Sequence, residues 1–231
     1  MWLKLPKIVP IKRVAITLIK VRGGGVESNI VDWEEAYESA GLWPIAVELP
    51  HGDIVYVLWY QTRKEVSRVV TSGGRAVILP DLSSVSAFLV NSEGFGLGDP
   101  GWEAARRLVR IVGSENPDET TIPRRLVGQS LEWLQQIPMY PTAEQTAELL
   151  NCIDFLSEWH YTLKDLDLIS RWPTVLEGAA SILAESVIWG SITPMAAFER
   201  VYFLGLWPVM ERLVSDLLQH TMLVSSNRPA A

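Results

Sequence analysis

An α+β fold follows from how the sequence periodicity changes along the 231 residues. Short β-branched runs, separated by turns bearing glycine or proline, occupy roughly the first 80 positions and predict a small antiparallel β-sheet. Beyond residue 124 the strand pattern stops, and threonine and proline mark successive helix starts, so a predominantly α-helical C-terminal half is expected to pack against that sheet. The boundaries are an α+β region over 1–113, a helical region over 124–224 and a frayed tail over 225–231, folding as one compact unit. With 48% apolar and 20% charged residues, the chain can bury a core without metal or disulfide staples.

The elements follow in order. Residues 14–21 are aliphatic or β-branched around Thr17 and Lys20 and end in Gly23, Gly24 and Gly25, as a strand stopped by a flexible turn does. A short helix is expected over 29–40, with Gly41 as its stop. The runs 45–49 and 54–60 flank Pro50-His51-Gly52-Asp53 and predict a hairpin. A second pair, 65–70 and 75–79, surrounds Thr71-Ser72-Gly73-Gly74. The segment 82–90 is a helix or a buried strand, since periodicity cannot decide at that length. Asp99-Pro100 has the chemistry of a cap followed by proline at the first helical position, opening a helix to about Val112, and 113–123 has linker composition. Helices are then expected near 124–136, 142–163, 174–189, 194–206 and 208–223. Thr142 with Gln145 and Thr174 with Glu177 fit capping boxes, and Thr193-Pro194 is the variant with proline after the cap. Gly-Leu-Trp-Pro occurs at 41–44 and again at 205–208, with flanks that do not match, so no repeat architecture follows.

Composition narrows the chemistry. A single cysteine, Cys152, leaves no disulfide framework and no cysteine-rich zinc site, which suits a reducing compartment. The basic N-terminus is interrupted by Pro6 and Pro10, and its apolar run is too short for a signal core or a membrane span, so a soluble, cytoplasmic protein is expected. The formal charge of −7 argues against nucleic-acid binding, which rests on lysine and arginine neutralising phosphates. Residues 96–101 satisfy G-x-G-x-x-G, but Asp99-Pro100 stands where backbone amides would face a pyrophosphate; a capped loop is the better account. Of three histidines, His160 lies eight residues from Cys152, about 80° around a helix and roughly 12 Å along it, too far for a nucleophile and base. No catalytic residue, metal site or cofactor is assigned. The ten tryptophans could serve as aromatic platforms or fill the core and the seam between sheet and helices.

Charge placement carries the functional expectation. Between Arg125 and Lys164 no lysine or arginine occurs, while residues 121–231 hold 12 acidic against 7 basic side chains. Wound as a helix, Glu144, Glu148, Asn151, Asp154, Glu158 and Asp165 fall within one arc of about 120°, opposite Leu149, Ile153, Leu156 and His160. The like-charged pairs at four-residue spacing each cost a few tenths of a kcal/mol that a lysine would have turned into a gain. Phe155 projects into this arc and Trp159 borders it, so Glu144, Glu148, Asp154, Phe155, Glu158 and Trp159 are expected to bind a basic protein partner, carboxylates steering and rings anchoring it. An ordinary solvated face, with Phe155 covered by a neighbour, is the competing account of the same spacing.

The segment from about 43 to 165 resembles the immunity proteins of bacterial toxin systems. A hairpin region runs into Leu-Leu-Asn-Cys-Ile-Asp-Phe-Leu-Ser-Glu-Trp at 149–159, similar to the Leu-Leu-Asn-aromatic-Asp runs of some such proteins. The resemblance implies a non-enzymatic protein that binds a toxin domain and blocks its active site, with no catalytic residues to carry over. Two alternatives stay open: an enzyme or small-molecule binder with a tryptophan-lined pocket using His51 or His160, and a structural subunit presenting a broad apolar patch.

Overall fold

A computed structural model describes residues 32–61, 67–90, 100–113, 117–164 and 173–224. The expected strand at 14–21, the start of the helix at 29–31, the Asp99 cap with the glycine loop before it, and the tail at 225–231 lie outside the described residues.

Local chemistry sets the first elements. Helix α1 (Trp33–Ala40) begins where the Asp32 carboxylate accepts the Glu35 N–H at 3.1 Å, and it ends at Gly41, whose φ of +67° suits a residue without Cβ. Strands β1 (Leu42–Glu48) and β2 (Ile54–Gln61) pair antiparallel from Leu42 opposite Tyr60 to Glu48 opposite Ile54. The expected second pair is only partly present: 75–79 is a strand and so is 67–69, but 67–69 pairs with β2, the hairpin partner of 75–79 is Thr71–Ser72 from within the expected turn, and residues 65 and 66 lie outside the described residues. Short strands β3 (Ser67–Val69) and β4 (Thr71–Ser72) run between β2 and β5 (Arg75–Leu79), with Gly73 and Gly74 at positive φ in the turn.

The sheet is mixed rather than antiparallel. Strand β6 (Arg124–Leu126) lies parallel to β1, and β7 (Thr221–Leu223) lies parallel to β5, at positions expected to begin and end helices. Three residues are too few to show a period of two; what makes them strands is the partner's ladder. Ala46 N–H donates to the Pro123 carbonyl at 2.9 Å, and Val224 N–H donates to the Ile78 carbonyl at 2.9 Å.

Alternation along the sheet feeds two cores. Ile45, Val47, Val57, Ala76 and Ile78 face one cluster, shared with α4 (Val127–Gln135), α5 (Ala143–Lys164), α6 (Thr174–Val187), α7 (Pro194–Phe203) and α8 (Leu206–Gln219). Leu42, Ala46, Tyr56, Leu58, Val77 and Leu79 face the other, shared with α1, α2 (Leu82–Val90) and α3 (Pro100–Val112). The described residues therefore form an α+β fold with helices on both faces of the sheet, and 82–90 is a helix. A short 3₁₀ turn (Glu119–Thr121), capped by Asp118, occupies part of the expected linker.

The caps divide. Thr142 and Gln145 form the reciprocal box at the start of α5, with N···O distances of 2.9 and 3.1 Å, and Thr193 accepts the Ala196 N–H at 3.2 Å. At α6 the helix starts one residue earlier than a Thr174 cap requires: Pro173 is the cap residue and makes no side-chain cap bond. The two Gly-Leu-Trp-Pro strings share a mechanism. Gly41 and Gly205 both adopt left-handed backbone, one closing α1 and the other separating α7 from α8, and each is followed by a fully buried leucine.

Candidate functional site

Helix α5 carries the six residues expected to bind a partner, and the fold distributes them in three ways. Only Glu144 is exposed. Glu148 is half-buried, because its Oε1 accepts the Leu126 N–H of β6 at 2.8 Å and the Cys152 thiol at 3.3 Å. Asp154 and Glu158 are partly covered in the seam between α5 and the sheet, where Glu158 accepts the Trp59 indole N–H from β2.

The two rings correct the expectation outright. Phe155 is 3% and Trp159 2% exposed, and they pack edge to face with centroids 5.7 Å apart inside the larger core. The cause is that α5 is covered on two sides: β3, β5 and β6 flank it on one and α6, α7 and α8 on the other. Leu149, Ile153, Leu156 and His160 are buried as the opposite face was expected to be, while the acidic arc is partly covered from Glu148 to Glu158 and open at Glu144; Asp165 lies outside the described residues. Phe155 and Trp159 contribute packing and cannot anchor a partner on this surface.

The seam is electrostatically costly. Burial pushes the Asp154 carboxyl up to about 6, with the Arg125 guanidinium of β6 pulling the other way. Burial likewise raises Glu158, against hydrogen bonds from Trp59 and Ser67. Burial and the neighbouring Glu148 charge push the Cys152 thiol well above its usual range, so this cysteine is no nucleophile.

What remains accessible is different from the expected site. An open groove of about 500 Å³ lies between α4, the end of β6 and the first turns of α5, lined by Leu126, Trp133, Thr142, Glu144, Gln145 and Glu148. It takes in two expected carboxylates and one tryptophan that the helix winding did not single out. Just before Thr142, the loop residues Met139 and Tyr140 are 77% and 81% exposed. At the corner joining α7 to α8, Phe203 is 85% exposed beside Tyr202 and Leu204. Trp189, in the loop after α6, is also exposed. Sequence held a usable signal for the first group, since apolar residues between Pro138 and Pro141 have no helix face through which to be buried.

Neither histidine considered for a pocket reaches this groove. His51 sits exposed in the β1–β2 turn and His160 is buried in the core. Trp133 is the groove's single tryptophan, and among the described residues no group of acidic, histidine and cysteine side chains could hold a metal ion. No described helix is long and apolar enough to cross a membrane.

No protein-family model and no curated protein sequence matches the chain. Among solved structures it is similar to the C-terminal domain of SatS, crystallised in complex with bromine, with 13% identity and a TM-score of 0.47, over 81% of this chain and 96% of that one.

Proposed function

We propose that the protein is a non-catalytic binding module for a basic protein partner, of the immunity or inhibitor kind that covers a toxin domain's active site. The observation that carries this reading is the exposure of large aromatic side chains in the loop joining α4 to α5 and at the end of α7, Tyr140 at 81% and Phe203 at 85%. Burying such rings supplies much of the contact energy in protein interfaces, and exposed apolar groups gathered at one place mark interaction surfaces. The net acidity of residues 121–231 supports a partner of opposite charge. The inhibitor role itself is supported by the sequence resemblance at 149–159.

The test is quantitative capture from the native host, comparing the wild-type chain with a Tyr202→Ser, Phe203→Ser variant. Both positions are solvent-facing, so the fold should survive, as an unchanged melting temperature would verify. One basic protein retained in stoichiometric amount by the wild type and lost at least tenfold by the variant is the expected result. Equal retention by both chains would overturn it, as would a wild-type chain that only self-associates through these residues, which is the behaviour of a structural subunit.

A further inference from the structure

Resting on the binding-module reading, we infer that the groove between α4 and α5 docks a short basic segment of the partner, with an arginine or lysine side chain over Trp133 and between Glu144 and Glu148. The groove is lined by a half-buried tryptophan together with two carboxylates. That combination favours a cation that is partly desolvated, because the ring quadrupole and the carboxylates attract the same charge.

The remaining wall residues fix shape instead of competing for the ligand. Thr142 and Gln145 use their side chains on each other's backbone N–H groups, which also satisfies donors at the positive end of the α5 dipole. Glu144 stands in the first turn of α5 and reinforces the negative sign there. Arg125 precedes the groove residue Leu126, but its Nη1 donates to the Arg124 carbonyl at 3.0 Å and its charge acts on Asp154 and Glu158 in the seam. No lysine or arginine occurs in the sequence from Leu126 to Leu163, so neither α4 nor α5 supplies a cation of its own to fill the groove. An exposed Tyr140 and Met139 two or three residues ahead of Thr142 offer apolar contact beside it. The fit is to a segment with one cation flanked by aliphatic side chains, and arginine should exceed lysine because its planar guanidinium can stack and bridge a carboxylate at once.

The experiment titrates the full chain with the blocked pentapeptide Ala-Leu-Arg-Leu-Ala and with its counterpart carrying citrulline, which keeps the shape and removes the charge. The readout is the Trp133 indole N–H resonance, assigned with Trp133→Phe. The arginine peptide should shift that resonance and bind at least tenfold more tightly than the citrulline peptide, with Glu144→Lys abolishing the difference. Because Glu144 is exposed, that variant should fold even if a change at the half-buried Trp133 does not. Equal shifts from both peptides, or shifts confined to the acidic helix α1, would overturn the groove proposal. The same variants separate the two levels in host capture. Partner lost by Tyr202→Ser, Phe203→Ser but kept by Glu144→Lys overturns the groove alone, whereas partner kept by both overturns the module reading.

Discussion

Asp154 shows how a residue visible in the sequence acquires a role that only packing defines. Its carboxyl is held near 6 by burial in the α5–sheet seam, above the value of a free aspartate, so the folded state takes up a proton that the unfolded chain has already lost. Between about pH 4 and 6 the native state binds more protons than the unfolded one, and stability therefore falls as pH rises through that window. The raised Glu158 acts in the same direction, while the exposed Asp81 and Asp118, held low by local hydrogen bonds, act only at more acidic pH. Replacing Asp154 by Asn should remove the cost of the buried charge and raise stability at pH 7.5 by up to about 2–3 kcal/mol, since a tenfold change in proton affinity corresponds to about 1.4 kcal/mol. It should also flatten the pH dependence. Urea unfolding of both proteins at pH 5 and 7.5 checks this, and parallel pH profiles would show that the seam carboxylate is not desolvated.

At the level of elements, most of what could be read from the sequence was local. The β1–β2 hairpin, the Thr142–Gln145 box and the Thr193 cap rest on contacts between near neighbours, and all three are present. The edge strands β6 and β7 were illegible because three-residue segments owe their conformation to partners about 80 and 145 positions away along the chain. The acidic face of α5 failed for a related reason. Winding a helix gives the angle of each side chain about the axis, but not how many neighbours surround that axis, and α5 has them on two sides. Thr174 marks the limit of motif spacing, since the helix starts a residue early and the threonine caps nothing. Thr193→Ala should accordingly cost about 1 kcal/mol, and Thr174→Ala only a few tenths, in equilibrium unfolding. Similar losses at both sites would contradict the assignment of the caps.

Across the described residues, one sheet separates two helical layers, and the acidic C-terminal half supplies the layer with the exposed rings. The bulk charge asymmetry could be read from composition. The make-up of the groove could not, because sequence does not say which acidic and aromatic residues the core will claim. The groove keeps Glu144 and Glu148, loses Phe155 and Trp159 to the interior, and gains Trp133. Amide hydrogen exchange, measured on the protein alone and bound to the partner it retains, tests this most directly. Protection on binding should concentrate in residues 126–148 and 200–208, which hold the groove and the α7–α8 corner. Protection confined to α1, α2 and α3 on the other face of the sheet would contradict it.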